Sequence, residues 1–373
     1  MDEMRPCDRP LSEAYDVALL DLDGVVYVGH RPVPGAADAL GKARAAGQRL
    51  AFVTNNAFRT PGAVADLLTR LGVPAAPDDV VTSAQAAARL LAERLPAGSP
   101  VLVVGGMGLR HALHGQGLRP VSTAADRPAA VVQGYDPNLS YGLIAEGAQA
   151  VSDGALFLAS NGDLTIPGES GPPRPGNGAL IQVIRTATGV DPIITGKPER
   201  PLHREAVMRT GAERPLVVGD RLDTDIEGAH NGGADSLLVL TGVTDALAAV
   251  TAVPEHRPTY LAADLSGLLT SHPEVRRSPG PEGDSYTCGG WTARWTGETV
   301  VVSRHEGDGD GDGGGDGRDI DDSDDGGDRT GDRHGAGGDG YDGLRALCAA
   351  AWRAEEPAEP AAVRQALDHL GFG

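Results

Sequence analysis

Four short clusters hold most of the chemistry-capable residues of this 373-residue chain, and carboxylate oxygens dominate them. The first is DLDGVVY at 21–27, directly after the apolar run Val17–Leu20. It sets Asp21 and Asp23 at i and i+2 on a strand end, with Gly24 allowing a sharp exit, so both carboxylates can address one reacting centre. A lone Asp-Gly would do no more than cap a strand. The second cluster, GDRLDTD at 219–225, follows another short aliphatic run and brings Asp220, Asp223 and Asp225 into one loop. A helix N-cap explains only one of the three. If the two strand ends meet, five carboxylates repel one another unless a cation sits among them. Mg²⁺ suits such a place, being a hard ion that takes oxygen ligands, needs few protein carboxylates and keeps positions open for water and phosphate. The remaining clusters are VTNN, with Thr54, and TGKPE, with Lys197. A hydroxyl beside backbone N–H groups can hold a phosphate, and a lysine can offset charge developing on a transferring phosphoryl group. Either one alone is a common surface feature.

The elements that must position these clusters alternate along residues 15 to about 270. Short aliphatic runs (17–20, 50–53, 101–104, 130–133, 156–159, 216–218 and 236–240) read as strands. Between them, Ala/Leu-rich stretches (35–46, 60–71, 83–95, 140–151, 179–188 and 202–209) read as helices. That alternation predicts an α/β fold with a mainly parallel sheet, in which ligands bind at the carboxyl ends of strands. DLDG, TNN and GDRLDTD all stand at such ends. After Pro273 the composition turns to a Pro/Gly/Ser linker. TARWTGETVVVS then predicts a hairpin turning near 296–298, and two short helices split by Pro357 and Pro360 follow. All three tryptophans, Trp291, Trp295 and Trp352, fall in this tail and predict a small apolar cluster of its own.

The net charge of −20 argues against a nucleic-acid or anionic-membrane partner. Of that charge, −9 lies in Gly307–Gly340, which has 12 Asp, 14 Gly and 3 Arg in 34 residues and Ile320 as its one large aliphatic side chain. Such a tract has nothing to bury and is expected to be disordered. Cys7, Cys288 and Cys348 are odd in number and match no metal or redox spacing, so they read as free thiols. With no apolar leader and no membrane-length run, the expectation is a soluble cytoplasmic protein.

Taken in chain order, the DxDGxxY signature, the Thr-Asn-Asn loop, the GKP lysine and the GDxxxTD loop resemble the haloacid dehalogenase superfamily of phosphohydrolases, from about Tyr15 to Leu269. Only 33 residues separate Asp21 from Thr54, whereas 143 separate Thr54 from Lys197, so an inserted domain of roughly 100 residues fits in the second gap alone. That arrangement is similar to the subfamily of p-nitrophenyl phosphatases, phosphoglycolate phosphatase, pyridoxal phosphatase and bacterial glycerol 3-phosphate phosphatases. Some of the last carry an accessory tail likened to half an acetyltransferase. GYDPNLSY at 134–141, NGDLTIP at 161–167 and PGNGAL at 175–180 are similar to cap segments of those proteins.

The resemblance implies a Rossmann-like core at 12–82 and 191–272, an inserted α/β cap at 83–190 and an accessory module at 284–306 and 341–373. It further implies that Asp21 is the nucleophile, forming an aspartyl-phosphate, and Asp23 the general acid and then base. Asp21, the Asp23 carbonyl and Asp220 would hold Mg²⁺, with Asp225 close by or bound through water. Thr54 and Asn55 would grip phosphoryl oxygens together with Lys197. Asp163, Thr165 and Ile166, in the cap, are the candidate substrate contacts.

Three other signals are set aside. GGMG at 105–108 is followed by His111 where a dinucleotide fingerprint needs Gly or Ala, and reads as a strand-to-helix turn. His111 and His114 lack a third metal ligand. Asp308, Asp310, Asp312 and Asp319 meet EF-hand spacing, but in an Asp/Gly repeat without flanking helices. The expected activity is therefore Mg²⁺-dependent hydrolysis of a small phosphorylated metabolite, glycerol 3-phosphate first. Phosphoglycolate, a sugar phosphate or a nucleotide are alternatives, as is transfer to an acceptor other than water by a phosphotransferase or mutase. A non-enzymatic binding role is disfavoured by the intact acidic set, and homo-oligomerisation is left open.

Overall fold

Successive residues of the aliphatic runs are buried on opposite faces, which is what strands covered on both sides require. The computed structural model describes residues 4–166, 172–281, 283–296, 299–304, 339–353 and 360–373. It divides into two units, Met1–Asp245 with Ala252–His272, and Ala246–Thr251 with Pro273–Gly373.

The first unit contains, in chain order, strands β1 (Val17–Leu20), β2 (Arg49–Thr54), β3 (Val80–Thr82), β4 (Pro100–Val104), β5 (Arg119–Val121), β6 (Ala130–Gln133), β7 (Leu156–Ala159), β8 (Thr165–Ile166), β9 (Arg174–Pro175), β10 (Ile193–Ile194), β11 (Pro215–Gly219), β12 (Asp235–Val239) and β13 (Tyr260–Ala262). Its principal helices are α1 (Ala36–Ala45), α2 (Pro61–Arg70), α3 (Ser83–Ala92), α4 (Met107–Gly115), α5 (Tyr141–Ser152), α6 (Asn177–Thr188), α7 (Arg200–Thr210) and α8 (Glu227–Gly232). Thr60 caps α2 by accepting from the Ala63 N–H, with Pro61 in the first turn, and Ser140 caps α5 in the same way through Leu143.

One sheet runs β13-β12-β11-β1-β2-β3, parallel throughout. Leu20 is in register with both Val218 and Phe52, so the segments leaving β1, β2 and β11 emerge side by side where the strand order reverses. Ala18, Leu20, Phe52 and Val218 pack with α1 and α2 on one face, while Leu19, Val53 and Val217 pack with α7 and α8 on the other. Phe52 and Leu20 are fully buried, so truncating either to alanine would cost about 2–5 kcal/mol.

A second parallel sheet, β10-β7-β6-β4-β5, lies in the chain between β3 and β11. It packs α3 and α4 on one face and α5 and α6 on the other. Helix α3 serves both layers, Ala86 joining the first sheet's core and Ala87, Ala88 and Leu91 the second's. These sheets bear out the α/β, Rossmann-like expectation. The strands β3, β5, β10 and β13 went unforeseen, being only two or three residues long.

In the second unit, β14 (Arg276–Ser278), β15 (Ser285–Cys288), β16 (Trp291–Trp295) and β17 (Val300–Arg304) form an antiparallel sheet in that order. The expected hairpin is β16–β17, whose turn residues 297 and 298 lie outside the described residues. Tyr286, Cys288, Trp291, Ala293 and Val300 are buried on one face of the sheet. Helices α9 (Ala246–Val250), α10 (Asp339–Trp352) and α11 (Pro360–Leu370) complete the unit, with Trp352 Nε1 donating to the Ala249 carbonyl at 3.1 Å. Trp291 and Trp352 are buried and Trp295 is half-buried. Helix α10 starts at Asp339, two residues inside the acidic tract. The rest of that tract and its EF-hand spacing lie outside the described residues.

Candidate active site

Asp21, Thr54 and Asp220 follow or end three adjacent strands, and Lys197 reaches in from the chain returning out of the second sheet. Lys197 Nζ is salt-bridged to Asp21 Oδ1 and to Asp225 Oδ1, the latter at 2.6 Å, and also donates to the Val53 carbonyl at 3.3 Å. Burial alone would lower the Lys197 ammonium, but Asp21 and then Asp225 outweigh it and raise it above the ordinary lysine range. One oxygen from each of Asp21, Asp220 and Asp225 lies within 4.8 Å of the others. Burial lifts Asp225 above the usual carboxylate range against the pull of Lys197.

Asp220 is fully buried and only half satisfied. Its Oδ2 accepts from the Val243 N–H at 2.7 Å, while Oδ1 has no hydrogen-bond partner among the described residues. Burial and then the Asp21 charge raise it to about 6. Gly24, at φ +91°, and Gly242 both press against this carboxylate, and a Cβ on either would collide with it. An orphaned carboxylate oxygen beside two more carboxylates is a donor set that fits a hard divalent cation. Asp223 is not part of it, because Arg221 pairs it off through Nε at 3.0 Å and Nη2 at 2.7 Å.

Asp23 stands at the mouth of the site with its side chain exposed, Oδ1 accepting from the Gly29 N–H at 3.3 Å. The surrounding protein still removes enough water, with Asp21 adding repulsion, to raise its carboxyl above the ordinary value. Thr54 Oγ1 accepts from the Asn56 N–H at 3.1 Å, which turns the chain sharply after β2. The Asn55 side chain points away from that turn, toward Lys197 and the second sheet. Its Oδ1 accepts from the Lys197 N–H at 2.8 Å, and Nδ2 donates to the Lys197 carbonyl at 3.1 Å and to both Asp163 oxygens at 3.3 Å. These bonds were absent from the sequence reading, where the one available signal was a second amide in Thr-Asn-Asn.

Asp163 is half-buried, and burial raises its carboxyl despite the Asn55 bond. Thr165 and Ile166 form β8, paired with β9, so all three candidate substrate contacts lie just beyond the carboxyl end of β7. The GGMG run has a packing role. Gly108 N–H donates to the Phe58 carbonyl at 2.9 Å, and a Cβ on Gly106 or Gly108 would strike Phe58 or the Ala57 and Arg59 carbonyls. His111 and His114 are exposed.

The fold and site define the class. The chain belongs to the haloacid dehalogenase-like hydrolases: residues 18–119 match the model of that family and residues 194–268 a HAD-hydrolase-like model. Residues 326–372 match a GCN5-related N-acetyltransferase like domain. Within the family the chain is similar to the D-glycerol 3-phosphate phosphatase of Mycobacterium tuberculosis, at 45 % identity over 294 residues that cover 79 % of this chain and 80 % of that protein. It is 39 % identical to the 5′-nucleotidase YutF of Bacillus subtilis over 234 residues, 62 % of this chain and 90 % of the relative. The crystal structure of the M. tuberculosis glycerol phosphate phosphatase in complex with magnesium superposes with a TM-score of 0.79 at 39 % identity, covering 98 % of this chain and all of that one.

Proposed function

We propose that this chain hydrolyses small phosphomonoesters with Mg²⁺, and that D-glycerol 3-phosphate is the first substrate to test. The observation that carries the reading is the half-satisfied Asp220 carboxylate set against Asp21 and the Lys197 ammonium. Asp21, Asp220 and the Asp23 carbonyl would hold the metal, with Asp225 near it. The metal would offset the charge of the phosphoryl group and screen the carboxylates from one another.

Asp21 attacks phosphorus, and the ester oxygen leaves with the bonding electrons as an aspartyl-phosphate forms. Asp23, raised toward protonation, hands its proton to that oxygen. It then takes one from the water that cleaves the acyl-phosphate bond. Lys197, Thr54 and the Asn55 N–H hold the phosphoryl oxygens. The second sheet serves as a cap that excludes water, with Thr165 and Ile166 meeting the leaving group. The 45 % identity to a glycerol 3-phosphate phosphatase supports the substrate, and likeness to a 5′-nucleotidase supports a nucleoside monophosphate as the second reading. Three free thiols, two of them buried, support a reducing compartment such as the cytoplasm. Among the described residues no helix is long and apolar enough to cross a membrane.

Phosphate release from D-glycerol 3-phosphate and from a nucleoside monophosphate, with Mg²⁺ and with EDTA, tests this. Asp21→Asn should abolish release without unfolding the protein. Turnover by that variant, or full turnover after chelation, would overturn the reading.

A further inference from the structure

Both passages of the chain between the two sheets of the first unit converge on Asn55. The chain leaves the first sheet at Thr82–Ser83, and Ser83 Oγ donates to the Asn55 carbonyl at 2.7 Å. It returns at Thr195–Lys197, where the Asn55 amide brackets Lys197 by accepting its N–H at 2.8 Å and donating to its carbonyl at 3.1 Å. From beyond β7 of the second sheet come Asn161, whose Nδ2 donates to the Asn55 carbonyl at 2.8 Å, and Asp163, which accepts from Asn55 Nδ2. Gly196 makes room for this junction, since a Cβ there would stand 2.5 Å from Asn55 Oδ1 and from the Ser160 carbonyl.

The bond count at this amide is tight. A carboxamide has two N–H groups and one carbonyl oxygen. One N–H and the oxygen are fixed on the Lys197 peptide, and the other acceptor of Nδ2 is a carboxylate belonging to the second sheet. Lys197 in turn reaches Asp21 and Asp225. A rotation that withdrew Asp163 would remove one of the restraints holding the Asn55 amide, and with it the peptide that carries Lys197.

We propose that Asn55 is a positioning residue that makes the alignment of Lys197 depend on the placement of the second sheet, with the Asp163 carboxylate as the latch. The inference rests on the phosphatase reading for its kinetic consequence alone. It gives Asp163 a different task from the substrate contact expected of it, and it makes closure and assembly of the charged site one event.

Coupling of this kind is shown by a double-mutant cycle rather than by proximity. Phosphate release should be measured for the wild type, Asp163→Ala, Asp163→Asn, Asn55→Ala and the Asn55→Ala/Asp163→Ala double variant, using glycerol 3-phosphate and p-nitrophenyl phosphate. Hydrogen exchange at the amides of Thr195, Gly196, Lys197 and Glu199 should be followed in parallel, as a readout that needs no turnover.

Asp163→Ala is expected to lower kcat roughly tenfold for both esters while leaving KM within about twofold, and to speed exchange at the Lys197 amide. Asp163→Asn, which retains an acceptor, should recover most of both, and the double variant should be no slower than Asn55→Ala. A KM increase confined to glycerol 3-phosphate would make Asp163 a substrate contact and overturn the latch, as would losses that multiply in the double variant. Unchanged exchange with unchanged kcat would also remove the latch and leave the phosphatase reading standing. An inactive wild type whose exchange still responds to Asp163→Ala would remove the phosphatase reading and keep the latch.

Discussion

Asp220 is the residue on which the proposed cation would act hardest, because its Oδ1 meets no donor among the described residues and burial lifts it from 3.8 to about 6. A carboxyl whose folded-state pKa is raised binds its proton more tightly when folded. Its favourable contribution is therefore complete below about 4 and is lost as pH rises through about 6. In the proposed metal site a divalent cation would compete with that proton for the same oxygens. Mg²⁺ should raise the melting temperature little at pH 5 and clearly at pH 7.5, and Asp220→Ala should erase the difference; thermal melts with Mg²⁺ or EDTA check this. An equal Mg²⁺ effect at both pH values would separate Asp220 from the metal. Asp23 invites a leaving-group test, since p-nitrophenolate departs with little protonation and an alkoxide does not. In single-turnover experiments Asp23→Asn should slow the first step far more for glycerol 3-phosphate than for p-nitrophenyl phosphate, and equal slowing would remove the general-acid role. The types and chain order of Asp21, Asp23, Thr54, Lys197 and Asp220 singled these residues out, the aspartates and Thr54 at strand ends that the pattern exposes and Lys197 through its GKP motif alone. The wiring of Asn55 was not legible, because its partners lie 108 and 142 residues away and nothing in the local sequence selects them.

Helices α3 and α7 are tied by charge as well as by apolar contact. Glu205 of α7 is fully buried and accepts from Arg89 of α3 and from Arg209 of its own helix, the latter at 2.5 Å. Both arginine side chains are more than a quarter exposed, so water takes over part of their solvation if the partner is lost. Glu205→Gln is therefore expected to cost about 1–2 kcal/mol, below the full penalty for an opened buried pair, and to lower the melting temperature by a few degrees. Calorimetry alongside steady-state kinetics checks this, with kcat at 25 °C staying within about twofold; a larger loss of activity would implicate the α3–α7 contact in catalysis. Element types were readable wherever an apolar run was long enough to declare its period, as at Ala130–Gln133 and Leu156–Ala159. Arg119–Val121, with Pro120 at its centre, and Ile193–Ile194 are strands because β4 and β7 offer them an edge, a reason found in the tertiary structure and in no local pattern.

Nearly half of the net charge of the whole molecule comes from 307–340, yet the charged side chains of the candidate site all lie within residues 21–225. Replacing 307–338 by a short Gly/Ser linker should leave kcat and KM within about twofold, since a long insertion adds little loop-closure entropy and this one has almost nothing to bury. Steady-state kinetics on the shortened chain checks this; a tenfold loss, or a response of the intact protein to micromolar Ca²⁺, would revive the calcium-loop reading. Helix α9 has a consequence for how the chain is made. Ala246, Ala249 and Val250 are buried, and Trp352 bonds the Ala249 carbonyl, so this helix completes a unit whose other parts all follow His272. At ordinary rates of synthesis the roughly one hundred residues from Thr251 to Trp352 take about 5–20 s to emerge from the ribosome. During that interval the phosphatase unit can finish its sheet with β13 while the apolar face of α9 waits for its cover. A chain released after His272 thus presents an apolar helix face that the full-length protein conceals, a feature that chaperones and proteases can read as a mark of incomplete synthesis.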